Sequence, residues 1–221
     1  MISCFMTVKN CLSQGYPFVE TIISALPVCE EFIILDAYSN DGTYEVLKKL
    51  SDIYTKINIV RMRDKNSSRY RKGGEVIAAA ANTAKSLCKN KYVFYLQADE
   101  IIHEDSVECI KSITKFHPNV RLFHLPFYQF LFGDILYERG WRIRLTKNSK
   151  NIFALTDGTQ LGFRQNYINN KIPKYRKGIS YYKLLDPYAS EFGIDRPMFL
   201  HVILPKPIFW YFIIYIVLSK T

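Results

Sequence analysis

The feature that most constrains this chain is the alternation of short apolar runs with amphipathic segments through its first half. Four largely apolar runs predict buried strands, at residues 2–8, 32–35, 57–62 and 92–96. Between them, apolar side chains recur every three or four positions and predict helices at residues 17–26, 43–53 and 76–88. This β-α-β-α-β-α-β order predicts an α/β fold with a mostly parallel central sheet flanked by helices.

The pattern changes after residue 105. One more helix is predicted from Val107, followed by strands at residues 120–128 and 141–147, and residues 156–197 are polar and tyrosine-rich. A chain of 221 residues suits one substantial core better than two. We therefore predict a single domain over residues 1–200, with a regular half at 1–118, a smaller irregular half at 119–200, and a tail at 201–221.

Charge and cysteine usage narrow the class of protein. With 30 basic and 20 acidic residues, the formal charge of +10 suits a protein that handles phosphates, an anionic membrane surface or nucleic acid. The 5 cysteines contain no C-x-x-C pair, so neither a zinc site nor a disulfide framework is indicated. The N-terminus lacks the pattern of a secretion signal, and a cytoplasmic location is expected.

Two groups of polar residues follow predicted strands. Asp36 ends an apolar strand, where its carboxylate can accept hydrogen bonds from a nucleobase or a ribose. Residues 39–43 suit either ligand binding or a turn that caps the next helix. Asp99 follows the most apolar strand and can offer oxygen to Mg²⁺ or Mn²⁺, although an exposed acidic turn would have the same sequence.

Together, these motifs resemble the family 2 glycosyltransferases of the GT-A fold. The resemblance covers roughly residues 1–150 and is greatest for bacterial and archaeal members that assemble polysaccharides, lipid-linked sugars or glycans. Its matching segments are Met6-Thr7-Val8-Lys9-Asn10, Asp36 through Thr43 (the family's Asp-x-Gly-Ser-x-Asp-Gly-Thr), Asn82, Tyr92 through Glu100, and Trp141-Arg142-Ile143-Arg144-Leu145.

The resemblance implies a GT-A fold in which residues 1–118 bind a nucleotide-diphosphate sugar and residues 119–200 face an acceptor glycan or lipid-linked sugar. It implies inverting transfer with Mg²⁺ or Mn²⁺, with Asp99 and His201 as metal ligands. The residues assigned by the resemblance to the nucleotide sugar are Thr7, Lys9, Asn10, Asp36, Ser39, Asp41, Arg71, Asn82, Gln97, Ala98 and Asp99.

Two positions depart from the family pattern. Gln97 stands where the family has the first aspartate of its metal motif, so weakened metal binding is expected. Ala81 replaces an arginine, and the basic residues 69–72 can supply the missing charge to a diphosphate.

The catalytic base is expected in the second half of the chain. The first choice is Asp157, which is expected in a turn at about the family's distance, and Asp134 and Glu138 are the alternatives.

The tail contains an apolar segment at residues 208–218, flanked by Lys206 and Lys220. It is too short for an ordinary transmembrane helix, and an interfacial helix at the inner face of the membrane is expected. A helix packed on the domain is the alternative.

Three other functions are alternatives for a sequence of this kind. A catalytically silent relative that binds a sugar nucleotide or a partner is suggested by Gln97. A nucleic-acid-binding module would use Tyr70 and four nearby arginines, Arg61, Arg63, Arg69 and Arg71. A sugar-nucleotide pyrophosphorylase is disfavoured because residues 9–15 do not form a glycine-rich basic loop.

Overall fold

The computed structural model describes residues 1–62, 73–131, 134–154, 161–163 and 199–203. Its first four strands are β1 (Ile2–Val8), β2 (Glu31–Asp36), β3 (Ile57–Arg61) and β4 (Tyr92–Tyr95). β1 is paired in parallel with β2 on one side and with β4 on the other, and β3 is paired in parallel with β2. The four strands predicted from the apolar runs are therefore confirmed.

The helices of the described chain are α1 (Cys11–Gln14), α2 (Phe18–Ala25), α3 (Thr43–Ile53), α4 (Gly73–Ser86) and α5 (Val107–Phe116). The four helices expected from apolar spacing are confirmed, and α3 has the predicted bounds. Pro17 precedes α2 as its N-cap instead of being its first residue. Within the described residues, no helix is both long and apolar enough to cross a membrane.

Helices cover both faces of the sheet because alternate residues of a buried strand point in opposite directions. Cys4 and Met6 of β1 lie in a core cluster with residues of α2, α3 and α5. Phe5, between them, lies in a second cluster with α4. Three alanines make the contact face of α4, at positions 78, 81 and 84, and their small side chains suit close packing of this helix against the sheet.

The remaining strands are β5 (Glu100–Ile102), β6 (Leu122–Leu131), β7 (Asp134–Lys147), β8 (Ile152–Ala154), β9 (Leu161–Phe163) and β10 (Phe199–Ile203). β8 and β9 form a small separate hairpin, and the main sheet has the order β3-β2-β1-β4-β7-β6-β10-β5. Of its seven pairings, four are parallel and three antiparallel. The expectation of a mostly parallel sheet flanked by helices is confirmed.

The described part of the second half contains more strand structure than its sequence indicated. β7 begins at Asp134, seven residues before the predicted start at 141, because the antiparallel β6 supplies backbone partners to a segment whose own sequence mixes polar and apolar residues. β10 runs from Phe199 to Ile203, so the predicted boundary of the tail at 201 falls inside a strand. One sheet thus contains strands from both predicted halves.

The loop after β1 and the loop after β2 are fastened together by helix caps that are distant in sequence. Ser13 N, in the four-residue α1, donates to Asp41 Oδ2 at 2.8 Å, and Leu12 N donates to Thr43 Oγ1 at 3.2 Å. Asp41 Oδ1 also accepts from Thr43 N at 3.0 Å at the start of α3. Residues 39–43 therefore satisfy the free backbone donors at the beginnings of two helices.

The same hydrogen bonds favour the charged form of Asp41. Burial alone raises the pKa of Asp41, but the bonds from Ser13 and Thr43 outweigh it and lower the pKa from 3.8 to about 2. Because the folded pKa lies below the unfolded one, this stabilisation is present above about pH 4 and is lost as the pH falls towards 2.

We expect Asp41→Ala to lower the free energy of unfolding at pH 7 by about 0.5–2 kcal/mol, the usual cost of losing a helix cap. Asp41→Asn keeps an oxygen acceptor and serves as the control, with a smaller loss. Urea unfolding at pH 7 and at about pH 2.5 measures both effects, and the difference between wild type and Asp41→Ala should shrink at the lower pH. An equal difference at the two pH values would contradict this role of the carboxylate.

Candidate functional site

Parallel pairing brings three strand ends to one edge of the sheet. The carboxyl ends of β2, β1 and β4 are neighbours in that order, and polar residues predicted to bind a ligand follow each of them. β2 and β4 are two strand spacings apart, or about 10 Å. Open α/β sheets bind their ligands beyond the carboxyl ends of the strands, so this edge is the candidate site.

At the β2 end, the carboxylate of Asp36 is fully buried and already has partners. Asp36 Oδ1 accepts from Ser39 N at 3.0 Å, and Asp36 Oδ2 accepts from Arg61 Nε at 3.0 Å. Arg61 Nη2 also donates to Ser39 O at 2.6 Å. Asp36 therefore fixes the loop that follows β2, and its predicted contact with a nucleobase or ribose stays a prediction.

Arg61 lies between two aromatic rings. Its guanidinium carbon is 4.7 Å from the ring centroid of Tyr38 and 4.1 Å from that of Tyr44, distances at which a cation is attracted to a π-system. Tyr38 has a φ of 57°, a left-handed conformation that glycine adopts easily and bulky residues rarely adopt. The family motif has glycine at this position. In this chain the position holds a tyrosine in a backbone conformation that disfavours it, and the contact of its ring with Arg61 favours that arrangement.

At the β1 end, Asn10 joins the two loops. Asn10 N donates to Ser39 Oγ at 2.9 Å, and Asn10 Oδ1 accepts from Asn40 N at 3.0 Å. Asn10 itself has a φ of 50°, which asparagine tolerates. Thr7 is half-buried near the end of β1 and Lys9 is exposed just beyond it, so the predicted residues of β1 and β2 do meet at one edge.

Asp99 lies in a turn between β4 and β5, which we call the 97–99 turn. Thr21 Oγ1 of α2 donates to Ala98 O at 3.1 Å and ties this turn to the helix layer. The pKa of the Tyr16 phenol is raised, first by burial and then by the negative charge of Asp99. The carboxylate of Asp99 therefore lies near enough to Tyr16, in the loop between α1 and α2, for its charge to affect the Tyr16 phenol.

Behind the 97–99 turn lies a buried ion pair. Arg144 of β7 and Glu100 of β5 are 1% and 2% exposed, and Arg144 Nε donates to both Glu100 oxygens, at 3.1 and 2.9 Å. Arg144 Nη2 donates to Glu100 Oε1 and, at 3.2 Å, to Gln97 Oε1. Removing one member of such a pair costs about 3–5 kcal/mol because the other charge stays buried.

Asn82, the residue on α4 that was predicted to bind the nucleotide sugar, contacts β8. Asn82 Oδ1 accepts from Ala154 N at 2.7 Å, and Asn82 Nδ2 donates to Ala154 O at 3.2 Å, so the amide ties α4 to β8. These contacts are structural, and a role of Asn82 in nucleotide binding stays a prediction. The neighbouring Ala81 is fully buried, which explains why this position holds a small side chain.

Other predicted residues fall outside the described residues or in segments whose backbone alone is described. Arg71, Asp157, Arg63, Arg69 and Tyr70 lie outside the described ranges. Two alternative bases, Asp134 and Glu138, fall within β7. The backbone of His201 in β10 is paired in register with that of Glu100 in β5. Glu100 is the residue that follows Asp99.

The residues present suit a cation that arrives with phosphate better than one held by protein alone. Among the described side chains, no three histidine, cysteine, aspartate or glutamate residues converge as a metal cluster. Mg²⁺ commonly uses one or two carboxylates and completes its coordination with water and substrate phosphates. Asp99, at the carboxyl edge, fits that pattern, and the role of His201 as a second ligand stays a prediction.

Two residues that organise this edge, Glu100 and Arg144, were not predicted from the sequence. In sequence, Glu100 and Arg144 stand out only as parts of segments that resemble the family, whereas the structure buries both. The sequence offers no local signal for this pair, because Arg144 alternates with apolar residues as a side chain on the polar face of a strand would. Arg61 was considered for nucleic acid, but its described contacts are with Asp36, Ser39 and two tyrosines.

Three synthases from two bacterial species are similar to this chain in sequence. The chain is 31% identical over 116 residues to the chondroitin synthase of Pasteurella multocida (strain Pm70) and to the hyaluronan synthase of Pasteurella multocida, a match that covers 52% of this chain and 11% of each relative. The Escherichia coli chondroitin synthase is 24% identical over 116 residues, which cover 52% of this chain and 16% of that protein. The chain thus spans a small part of the curated relatives it matches.

Two solved structures are also similar. TarS 1-349 of S. aureus in complex with UDP-GlcNAc has a TM-score of 0.43 at 15% identity, over 62% of this chain and 37% of that one. Mannosyltransferase PcManGT from Pyrobaculum calidifontis, in complex with GDP-Man and Mn2+, has a TM-score of 0.41 at 17% identity, over 56% of this chain and 34% of that one.

The family model described as "Glycosyl transferase family 2" matches residues 3–120. That segment is more than half of the 221 residues and contains β1 to β5 with the whole edge from Asp36 to Asp99. The chain therefore belongs to glycosyl transferase family 2.

Proposed function

We propose that this chain transfers a sugar from a nucleoside diphosphate to an acceptor hydroxyl, with the help of Mg²⁺ or Mn²⁺. The observation that carries the proposal is the position of Asp99, in a turn at the carboxyl edge, next to the end of β1 and one strand further from the end of β2. The nucleoside would lie over the β2 end and the diphosphate near the 97–99 turn. Family membership supports the reaction class.

The acceptor is proposed to be a growing glycan or a lipid-linked sugar. The matched synthases are named for chondroitin and hyaluronan, which are sugar polymers. A similar acceptor would enter from the side of the second half of the chain.

The proposed reaction is a single displacement with inversion. The carboxylate of Asp157 would take the proton from the acceptor hydroxyl while that oxygen attacks the anomeric carbon from the side opposite the diphosphate. Asp99 and His201 would hold the divalent cation, which supplies charge neutralisation for the departing diphosphate. Thr7, Lys9, Asn10, Ser39 and Gln97 would line the donor site.

A catalytically silent relative is the second candidate, and one observation favours it. Gln97 replaces a family carboxylate, and its side-chain oxygen accepts from Arg144. If the edge binds nucleotide without releasing sugar from the donor, the chain is a binding module. Calorimetry combined with a donor-hydrolysis assay separates the two candidates.

We expect Asp99→Asn to weaken the Mn²⁺-dependent part of nucleotide binding by at least about tenfold, because a charged oxygen ligand is lost. His201→Ala should weaken the same part to a smaller extent. Titration calorimetry with UDP, GDP and dTDP, with and without Mn²⁺, measures these changes. Asp105→Asn, which removes an exposed carboxylate after β5, is the control. Undiminished Mn²⁺-dependent binding by Asp99→Asn would refute the cation site.

Asp157→Asn is expected to keep donor binding and to lose transfer by about 10²–10⁴-fold, the usual contribution of a general base. Donor binding is measured by calorimetry, and transfer by release of nucleoside diphosphate in the presence of glycan acceptors. Asp134→Asn and Glu138→Gln are the matched variants, since these residues are the alternative bases. Full transfer by Asp157→Asn, with loss in one of the other two, would reassign the role.

We further propose that the chain works at the inner face of a membrane, held by residues 208–218 and by its formal charge of +10. Flotation with vesicles that contain phosphatidylserine should recover the full chain, and a variant ending at residue 204 should stay with the soluble fraction. Neutral phosphatidylcholine vesicles are the control for charge. Equal recovery of both chains would remove the tail from the proposal.

A further inference from the structure

The 97–99 turn is fastened at both of its ends and in its middle. Gln97 N donates to Glu100 Oε2 at 3.0 Å, and Glu100 N donates back to Gln97 O at 3.2 Å. Just before the turn, Leu96 N donates to Phe5 O of β1 at 3.1 Å. Together with the contact from Thr21 to Ala98, these bonds give the backbone around Asp99 one arrangement.

The Glu100 carboxylate that receives Gln97 N is itself oriented by Arg144. Arg144 binds both oxygens of Glu100 with its Nε and Nη2 groups. The same Nη2 holds the side-chain oxygen of Gln97, so one guanidinium supports both the backbone and the side chain of position 97. Arg144 also lies 5.1 Å from the ring centroid of the buried Tyr95, which fixes the plane of the guanidinium from a second direction.

We propose that Arg144 is a positioning residue that holds the 97–99 turn in the geometry that binds a metal-bound diphosphate. It acts through Glu100 and Gln97 and does not touch the ligand, since its side chain is 1% exposed. Supporting groups of this kind orient metal ligands and change affinity when they are replaced. The inference rests on the proposed function.

The same geometry gives a reason for Gln97. A neutral amide accepts from Arg144 and places no second negative charge beside that of Glu100. A carboxylate at position 97 would compete with Glu100 for the guanidinium. Restoring the family's aspartate at this position should therefore not strengthen binding of the cation.

The first test is Arg144→Lys, which keeps the charge but loses the planar fork that binds two oxygens. We expect binding of UDP or GDP with saturating Mn²⁺ to weaken about 10–100-fold by calorimetry. Asn148→Ala is the matched control, because it removes three side-chain hydrogen bonds at the opposite edge of the sheet, two donated to Cys88 O and Asn90 O and one accepted from Lys85 Nζ. Thermal unfolding without ligand shows whether the two variants lose similar stability.

The second variant is Gln97→Asp, at a half-buried position where folding is less at risk. We expect it to bind nucleotide with Mn²⁺ no more tightly than wild type. A gain of about tenfold or more would overturn the inference, because the new carboxylate would then serve the cation instead of Arg144. If Arg144→Lys does not fold, this variant decides the question.

The outcomes separate the inference from the proposed function. Failure of wild type to bind any nucleoside diphosphate with Mn²⁺ would refute the proposed function. Binding by wild type with equal affinity in Arg144→Lys would refute the positioning role alone. Equal weakening in Arg144→Lys and Asn148→Ala would also refute it, because the effect would then follow general stability.

Discussion

Parallel pairing of β1 with both β2 and β4 is the constraint on which the rest of this edge depends. Because the three strands point the same way, the loops that follow them emerge side by side. Residues separated by about 90 positions in sequence, such as Lys9 and Asp99, are thereby brought to one edge. Burial of the strands on both faces fixes this register, since a shift by one residue would exchange the contents of the two core clusters.

Most polar side chains at this edge support one another. Asp41 and Thr43 cap α1, Asn10 and Ser39 bind across the two loops, and Asp36 holds Arg61. A motif can therefore be characteristic of a nucleotide-binding family through the loop geometry it imposes as well as through contacts with a ligand. On this view, the 39–43 segment shapes the site by joining the first two loops.

The fold was predictable from sequence where the determining interactions are local. The bounds of α3 follow from Leu47 and Leu50 on one face and from the turn residues before Thr43. α1 escaped prediction because the side chains that cap it are 28 and 31 residues away. The members of the Arg144–Glu100 pair are 44 residues apart, and β5 is only three residues long. No local sequence pattern therefore predicts the ion pair or the strand.

The candidate site was predictable only in part, because some of its determining interactions are local and others are not. Asp36 and Asp99 could be placed at strand ends, because the strands themselves are apolar runs. The sequence could not show that Asp36 is fully buried against Arg61, since that contact depends on how β3 lies beside β2. Burial and partner choice are tertiary properties, and they decide which polar residue of a motif faces a ligand.

Charge pairing at the edge bears on how a cation would be held. Of the carboxylates at the ends of β2 and β4, Asp36 is paired with Arg61 and Glu100 with Arg144, which neutralises both charges. Asp99 adds a carboxylate that can contribute a negative charge to a metal, and Gln97, two residues earlier, is neutral. One carboxylate binds Mg²⁺ or Mn²⁺ weakly without further anionic ligands. Under the proposed function, the diphosphate would therefore supply much of the attraction, and cation and donor would bind cooperatively.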